Sequence, residues 1–404
     1  MGLLRGDAAG RARDALLAAA AAGREVLGTF RAPGRVNLIG EHIDYCGGPV
    51  LPTTLNLDLA AMALQPLRAD RAHFRALDLG EEFTLPLEPS RWPHAADDPT
   101  SPRWARLVAA LAIELARAGC PATPADVLVA GTVPAGAGLS SSSALAVVLA
   151  VAWRALAGRS WEPVELAELC LAAETRAFGV AGGLMDQICA LGCGAGEAIL
   201  IDCRDLTTAP VPLPPGLGVL VVDSAVRRTL ATSAYNERRA DCERALRSLR
   251  RRDPGLRHLA EATPDQVASA GLDPRARRRA RHVVTEVRRV RDAVAALQIG
   301  DIAGVGALLL ESHRSLANDF EVSTPELDSL VELAARIPGV SGARLTGAGF
   351  GGCAVVLVAT GAEEDVAGSL RAAYRRATQL DATAWLVEPA PPAGPRPAPE
   401  TAGR

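Results

Sequence analysis

The segment PAGAGLSSSSAL at residues 134–145 lies between a strand-like run and a helix-like run. Alternating apolar residues predict a strand over 125–133, and the apolar residues from Ser143 onward predict a helix. Gly136 and Gly138 let the backbone approach a ligand closely, and the free N–H groups at the start of the helix suit an anion. The segment therefore predicts either a phosphate-binding loop or a plain helix N-cap after a flexible linker.

The chain contains no lysine, because all 43 basic residues are arginines. This absence excludes a Walker A loop, a protein-kinase strand lysine and a Schiff-base mechanism. Any bound polyphosphate must be held by backbone amides, arginine and a metal ion. Serine hydroxyls in the loop at residues 134–145 could contribute to such a metal site, since Mg²⁺ prefers oxygen ligands.

Length and composition limit the class of protein. A chain of 404 residues with 49% apolar content predicts two domains with a buried core. The formal net charge of −3 does not favour nucleic acid or an anionic membrane as a partner, and the arginine cluster at 275–281 predicts only the solvated face of a helix. No apolar stretch approaches the roughly 20 residues that cross a bilayer, no signal-type segment is visible, and we expect a cytoplasmic protein.

The eight cysteines form no C-x-x-C pair, which predicts buried, reduced thiols. An Ala/Leu-rich segment at 8–22 predicts a helix, and the mixture of elements predicts an α+β protein. The stretch PVPLPPG at 210–216 predicts the crossing between an N-terminal domain at 1–210 and a C-terminal domain at 211–387. The Pro-rich residues 388–404 predict a disordered tail. Further strands are predicted at 29–32, 197–202, 218–223 and 353–359, and a further helix from Pro163.

Two carboxylates attract attention by their neighbours. Glu174 lies at the edge of a helix's apolar stripe, where it is either a magnesium ligand or simply solvated. Asp186 follows Gly182 and Gly183, so it is either a helix N-cap or a carboxylate that accepts a hydroxyl proton during phosphoryl transfer. Local pattern does not decide between these alternatives.

Two glycine-rich segments adjoin apolar runs. GEHIDYCGG at 40–48 places four polar side chains on a tight turn, and GARLTGAGFGGC at 342–353 precedes a predicted strand. Four glycines within six residues of the second segment indicate unusual backbone dihedrals or close contact with a ligand, or else a tight hairpin turn.

Taken together, these segments resemble the GHMP small-molecule kinases, and among them the galactokinases, from about Phe30 to Val358. APGRVNLIGEHIDY at 32–45 is similar to the galactokinase signature, VPAGAGLSSSSAL at 133–145 to the family's phosphate loop, and GARLTGAGFGGC to its third motif. The resemblance implies a two-domain α+β fold with the active site in the interdomain cleft. It also implies transfer of a phosphoryl group from ATP to the C1 hydroxyl of galactose.

The resemblance also implies roles for individual residues. Asp186 and Arg35 match the catalytic pair, in which the aspartate either deprotonates or mainly positions the C1 hydroxyl and the arginine stabilises negative charge. Ser142, with Ser141 as a competitor, and Glu174 match the magnesium ligands. The matching sugar contacts are Glu41, His42, Asp44, Gly183 and Tyr235, since sugar hydroxyls need fixed polar partners. The matching ATP contacts are Pro134, Gly136, Ala137, Gly138, Leu139, Ser140, Ser141, Ser142 and Trp104, of which Trp104 is otherwise a core residue.

Two alternatives to a galactose kinase remain open. Galactokinases usually read HTDYN where this chain reads HIDYC at 42–46, a form familiar from N-acetylgalactosamine kinases, so that sugar or another sugar 1-kinase activity is the first alternative. Tyr235 and ILIDCR at 199–204 favour galactose. A catalytically silent sugar and ATP sensor is the second alternative, which the complete phosphate loop disfavours. The expected partners are a small-molecule sugar and ATP, and a monomer is favoured.

Overall fold

A computed structural model describes residues 24–180, 182–227 and 231–396; the helix predicted at 8–22 lies outside them. The strands are β1 (Val26–Ile39), β2 (Pro49–Leu64), β3 (Arg71–Ala76), β4 (Glu81–Pro86), β5 (Ala125–Gly131), β6 (Glu197–Asp202), β7 (Thr207–Pro212), β8 (Leu217–Asp223), β9 (Val340–Thr346), β10 (Cys353–Ala359), β11 (Thr383–Leu386) and β12 (Gly394–Arg396). The helices are α1 (Trp92–Asp97), α2 (Arg103–Arg117), α3 (Ser141–Leu156), α4 (Pro163–Phe178), α5 (Met185–Gly192), α6 (Ala231–Arg250), α7 (Pro264–Ser269), α8 (Pro274–Gln298), α9 (Ile302–Ser315), α10 (Pro325–Ala334) and α11 (Glu363–Thr378). Short 3-10 turns lie at Asp44–Cys46, Pro89–Arg91 and Leu259–Glu261, and a π-helical turn at Leu316–Phe320.

The first sheet has the strand order β12-β1-β2-β5-β3-β4, with β6 and β7 continuing from β2. All pairs are antiparallel except β3 with β5. Helix α3 packs on β1 and β2 and is itself covered by α2 and α4. Its residues 143–154 are all buried, because a helix that is apolar on every face is stable only when it is surrounded. The segment at 134–145, called the phosphate-loop segment below, therefore leads into a helix at the centre of the first sheet's helical layer.

The second sheet has the order β11-β8-β10-β9 and is antiparallel throughout. Residues 353–358 of β10 are all buried, which agrees with the continuous apolar run that predicts this strand. Side chains of α10 and α11 pack on this sheet in an apolar cluster of their own. The strands predicted at 197–202, 218–223 and 353–359 are confirmed as β6, β8 and β10.

The chain passes from the first sheet to the second across residues 213–216, inside the proline-rich stretch that predicts the interdomain crossing. Later segments nevertheless return to the first sheet. Helix α8 packs against β1, β2 and β7, and β12 pairs with β1. The two halves of the sequence are thus interleaved around the first sheet, and this brings C-terminal side chains to the end of β1.

The prediction that residues 388–404 form a disordered tail is wrong for residues 388–396, while 397–404 lie outside the described part. The Ala390 carbonyl accepts a hydrogen bond from the Thr54 hydroxyl at 2.7 Å, and the Pro391 carbonyl accepts one from Arg31 at 2.5 Å. Proline removes its own N–H but keeps its carbonyl, and extended proline-rich backbone fits a sheet edge. β12 is such an edge strand.

The prediction of a wholly solvated arginine cluster at 275–281 is wrong at Arg279, which is only 1% exposed. Its guanidinium lies 2.5 Å from Glu321 and 3.5 Å from the buried carboxylate of Asp241. Arg275 also pairs with Asp241, at 2.6 Å. Acidic partners that are distant in sequence, of which Asp241 is buried, therefore turn part of this basic face inward.

Two compositional expectations can be compared with the structure. All eight cysteines are free thiols and seven of them are buried, as predicted. No helix within the described ranges combines the length and the apolar character needed to cross a membrane.

Candidate active site

A cleft of about 1550 Å³ is lined by residues from both halves of the chain. It brings together most of the sequence-predicted site residues: Arg35, Glu41, His42, Asp44, Trp104, Gly136, Gly138, Ser140, Ser141, Ser142, Glu174, Gly183, Asp186 and Tyr235. Pro134, Ala137 and Leu139 do not line it, and the side chains of Ala137 and Leu139 are buried in the core. These two residues therefore anchor the phosphate-loop segment rather than face the cleft.

The loop between β5 and α3 turns through left-handed backbone. Gly136 has φ 75°, Gly138 has φ 87° and Ser140 has φ 61°. Ser140 is the N-cap of α3 but makes no side-chain capping bond to the helix. The first turn of α3 therefore presents its N–H groups and positive dipole end beside Ser141 and Ser142, which line the cleft. This arrangement suits a phosphate group.

Asp186 lies in the first turn of α5. It is held by Arg35 on β1 and by Ser140 at the start of α3. Two guanidinium nitrogens of Arg35, Nε and Nη2, each lie 2.7 Å from its Oδ1. The Ser140 hydroxyl donates to its Oδ2 at 2.5 Å. Arg35 in turn donates to the Gly138 carbonyl at 2.8 Å, which ties the pair to the phosphate-loop backbone. The carboxylate is thus fixed beside the start of α3.

Glu174 on α4 is a second buried carboxylate in the cleft. It accepts hydrogen bonds from the Ser143 hydroxyl at 2.9 Å and from the Gln187 amide. Burial raises the pKa of Glu174 to about 7, and the negative charge of Asp186 adds to this effect, while a hydrogen bond from Ser142 opposes it. Burial and the nearby charge of Asp186 therefore both disfavour the ionised form of Glu174 in the protein alone.

The surroundings of Glu174 fit a magnesium ion. Glu174 and the Ser142 hydroxyl supply two oxygen ligands next to the proposed phosphate position, and the excess of acidic groups favours a cation there. Within residues 24–180, 182–227 and 231–396, no group of three or more His, Cys, Asp or Glu side chains could hold a metal by itself. Two protein oxygens can be enough for Mg²⁺, which takes its remaining ligands from phosphate and water.

Glu41 on the turn after β1 is 2% exposed, and its two oxygens have four donors. Oε1 accepts from the Gly347 N–H at 2.6 Å, the Thr346 hydroxyl at 3.0 Å and Arg344 at 3.3 Å. Oε2 accepts from the Asn37 amide at 2.8 Å. Burial opposes ionisation, but Arg344 and Arg35 together hold the pKa of Glu41 below its usual value. The third glycine-rich motif therefore holds this carboxylate ionised.

His42 has both ring nitrogens engaged by the protein. Nε2 lies 3.1 Å from the Ala348 carbonyl, which can only accept, so Nε2 carries the proton. Nδ1 then accepts from the Tyr45 hydroxyl at 2.9 Å. Burial lowers the pKa of His42 to about 4, so the ring is neutral. His42 therefore shapes this part of the cleft by its ring, and its two nitrogens already have hydrogen-bond partners.

Asp44, Gly183 and Tyr235 meet in the same part of the cleft. A Cβ atom on Gly183 would lie 2.2 Å from Asp44 Oδ2, so only glycine leaves room for this carboxylate. Burial raises the pKa of Asp44 to about 6, and Asp186 adds to the shift. The ring of Tyr235, on α6, lies 5.2 Å from that of His42 and 5.5 Å from that of Tyr45. Residues from three distant segments thus enclose a small polar pocket beside Asp186.

The outer part of the cleft is aromatic. Trp104 on α2 is only partly buried and donates its indole N–H to Glu81 at 2.5 Å, so it is not a core residue. The guanidinium of Arg103 lies 4.5 Å from the centre of the Phe178 ring, and both residues line the cleft. Groups of this kind can stack on a flat aromatic ligand such as a purine base.

The sequence did not point to Arg103, Phe178, Ser143 and Gln187, which line the cleft, or to Arg344, which contacts Glu41. In the sequence Ser143 marks only the start of a predicted helix, yet its hydroxyl donates to Glu174 in the structure. Gln187 follows Asp186 directly, and this neighbourhood is the one signal that could have drawn attention to it. Arg344 lies within the third motif and could have been noticed as the single charge among small residues.

Comparison with known proteins supports the assignment suggested by this geometry. The galactokinase galactose-binding signature matches residues 19–64, the GHMP kinases N terminal domain 106–194, and the GHMP kinases C terminal domain 293–376. A galactokinase from Roseiflexus sp. (strain RS-1) is 44% identical over 88% of this chain and 90% of its own length. The Homo sapiens galactokinase is 43% identical over 81% and 82% of the two chains.

Solved structures of related kinases match the fold of this chain. The crystal structure of Lactococcus lactis galactokinase complexed with galactose matches with a TM-score of 0.84 and 30% identity, covering 91% of this chain and 94% of that one. A mevalonate kinase structure matches with a TM-score of 0.62 at 18% identity, covering 89% of this chain and 98% of that one, which shows the shared fold alone. On the extent of these matches, the chain belongs to the galactokinases of the GHMP kinase family.

Proposed function

We propose that this protein transfers the γ-phosphoryl group of ATP to the C1 hydroxyl of galactose. The observation that carries the proposal is the position of Asp186, which Arg35 and Ser140 fix between the pocket of Glu41 and Asp44 and the N-terminus of α3. A sugar hydroxyl in that pocket and a phosphate on α3 would both adjoin one carboxylate. The related galactokinases, including the one solved with galactose, support this choice of substrate.

The sugar hydroxyls would be held by Glu41 and Asp44, with Gly183 leaving room for Asp44 and the rings of His42 and Tyr235 closing the pocket. Buried carboxylates bind the hydroxyls of one epimer and are left unpaired by another, which produces discrimination between sugars.

In the transfer step, the sugar O1 forms a bond to the γ-phosphorus while the bond from that phosphorus to the bridging oxygen breaks and ADP leaves. Asp186 Oδ2 accepts a hydrogen bond from the C1 hydroxyl in place of the one from Ser140. This bond orients the hydroxyl so that a lone pair of the sugar O1 points toward the phosphorus. The proton of O1 passes to Asp186 during or after the transfer. Arg35, on the other carboxylate oxygen, fixes the position of Asp186 and stabilises negative charge on the transferred group.

The phosphates of ATP would lie along Gly136, Gly138 and the first turn of α3, with Trp104 beside the adenine. Ser142 and Glu174 would hold Mg²⁺, whose charge would offset that of the phosphate oxygens and of the Glu174 carboxylate. Because every assigned residue belongs to one chain, we propose that a monomer is sufficient for activity. The eight free thiols fit a cytoplasmic location.

The choice of sugar is tested by measuring kcat/KM, through coupled ADP release, for galactose, N-acetylgalactosamine, glucose, arabinose and galacturonate. We expect galactose to give the highest value. A preference for N-acetylgalactosamine would replace the proposed substrate and keep the reaction. No turnover on any sugar, despite galactose binding, would instead favour the catalytically silent sensor.

A further inference from the structure

The turn that carries the proposed sugar contacts has an unusual backbone. Gly40 has φ 104° and His42 has φ 63°, so both sides of Glu41 are left-handed or beyond. A Cβ atom on Gly40 would lie 2.9 Å from the Pro49 carbonyl, which explains the glycine. His42 has no such freedom, and a side-chain-bearing residue in this region costs about 1 kcal/mol or more. Something outside the turn must hold it in this conformation.

Two buried polar side chains of α8 contact the backbone of this turn directly. Glu286 Oε1 accepts a hydrogen bond from the Gly40 N–H at 3.1 Å. His282 Nε2 lies 3.0 Å from the Glu41 carbonyl oxygen, and because a carbonyl can only accept, Nε2 is the donor. Both side chains are 0% exposed. They lie four residues apart, on one face of the helix.

Both side chains are themselves oriented by further hydrogen bonds. His282 Nδ1 lies 2.9 Å from the Ser315 hydroxyl, which donates to it once Nε2 carries the proton. Glu286 also accepts from the Ser312 hydroxyl at 2.6 Å, and its other oxygen accepts from Arg289 at 2.6 Å. Burial lowers the pKa of His282, so the imidazole stays neutral and keeps this tautomer. The donor to Glu41 and the acceptor from Gly40 are thus fixed in advance.

We propose that His282 and Glu286 are positioning residues of the sugar site, which set the direction of the Glu41 side chain and the start of the Asp44 turn through the backbone of residues 40–42. This inference rests on the proposed galactose kinase function. Neither side chain lines the cleft, so neither needs to touch the sugar. Removing either bond leaves a buried peptide group unsatisfied and allows the turn to relax, which weakens sugar binding and leaves nucleotide binding unchanged.

The test compares variants that keep or remove the hydrogen bond from each side chain to the backbone of the turn. His282→Leu removes the donor at similar volume, whereas His282→Gln retains an N–H donor near the Nε2 position. Glu286→Met removes the acceptor for Gly40 together with the bonds from Ser312 and Arg289, whereas Glu286→Gln keeps an acceptor oxygen. Val283→Ala, a neighbouring core change on α8 at a residue that is 0% exposed, serves as the control for stability loss. Ser315→Ala, which removes the bond to His282 Nδ1 and a longer contact with Asp319 at 3.4 Å, replaces His282→Leu if that variant fails to fold.

Galactose Kd is measured by calorimetry without ATP, followed by KM for galactose, KM for ATP and kcat. We expect His282→Leu and Glu286→Met to raise galactose Kd and KM about fivefold or more, with KM for ATP within about twofold, because each leaves a buried peptide group unpaired. Ser315→Ala should raise them about twofold to threefold on the same grounds. The two glutamine variants should restore most of the affinity, and Val283→Ala should lower the melting temperature alone.

The inference is overturned if the bond-removing variants leave galactose affinity at the parental value, or if Val283→Ala weakens it equally. It is also overturned if the KM for ATP rises in parallel, since that would show a general loss of structure. A parent protein that phosphorylates galactose while its variants behave this way would leave the proposed function intact. A parent that binds no galactose would instead remove the proposed function, and this inference with it.

Discussion

Arg35 and Asp186 lie 151 residues apart in sequence, yet two guanidinium nitrogens of Arg35 lie 2.7 Å from one carboxylate oxygen of Asp186. The pair joins β1 with α5. β1 leads to the turn at residues 40–42, and α5 follows the glycine pair at 182–183. Ser140 completes the contact from the phosphate loop. The Asp186 carboxylate therefore adjoins both the proposed sugar position and the proposed phosphate position.

Replacing Asp186 tests its assignment to the chemical step. We expect Asp186→Ala to lower kcat by about 10³-fold, in the range of general acid–base effects, because the C1 hydroxyl loses its acceptor. Galactose Kd should change by less than about threefold, since Glu41 and Asp44 remain. Steady-state ADP release and calorimetry provide the two values. A kcat near that of the parent would refute the role of Asp186.

Glu41 tests the link between sugar binding and stability. Glu41→Ala leaves Arg344, which is 0% exposed, without its carboxylate, so we expect a loss of about 3–5 kcal/mol in the free energy of unfolding and a higher KM for galactose. Glu41→Gln keeps the shape and one acceptor oxygen and should lose less stability. Urea unfolding and steady-state kinetics separate the two effects. Unchanged KM in both variants would place the sugar elsewhere.

The glycine pair offers a matched comparison. A methyl group on Gly183 would meet Asp44 Oδ2 at 2.2 Å, whereas the closest atom to a methyl group on Gly182 is Leu171 Cδ1 at 3.7 Å. We expect Gly183→Ala to raise the KM for galactose about tenfold by displacing a carboxylate that accepts sugar hydroxyls. Gly182→Ala should leave it within about twofold. Equal effects of the two substitutions would contradict the placement of Asp44.

Galactose binding should depend on pH through Asp44. Burial and Asp186 raise its pKa to about 6, so the protonated form dominates below pH 6 and the carboxylate above it. If the carboxylate is the binding form, galactose Kd measured without ATP or metal should be about tenfold weaker at pH 5 than at pH 7, because the ionised fraction falls by that factor.

The charged side chains that act on the pKa of Asp44 are Asp186, Glu41 and Arg35. Asp44→Asn separates its titration from theirs, because this variant should bind weakly and lose the pH dependence. His42, with a pKa of about 4, remains neutral across this range. Binding that strengthens as the pH falls would show that the neutral acid is the competent form.

Much of the site could be predicted because its residues lie in short motifs whose glycines and serines have a local physical meaning. The loop at 134–145 indicates its own backbone conformation, and the start of α3 follows from the apolar run after it. Glu174 and Asp186 were candidates from their positions alone. Their function could be named only through the resemblance to a family.

The contacts that could not be predicted are those between segments far apart in sequence. His282 and Glu286 lie within an arginine-rich helix whose pattern gives no sign that its buried face holds the backbone of residues 40–42. Arg279 is buried because acidic partners meet it in space. The Pro-rich segment from residue 388 reads as disordered because its order depends on donors such as Thr54 and Arg31 in the first sheet.

The most direct test of the account identifies the atom that receives the phosphoryl group. Purified protein is incubated with ATP, Mg²⁺ and galactose, and the product is examined by phosphorus–proton correlation NMR. We expect a phosphorus signal coupled to the proton on C1 of the sugar, formed by the parent and formed about 10³-fold more slowly by Asp186→Ala. Phosphate on another carbon, or the same product from Asp186→Ala at the parental rate, would contradict it.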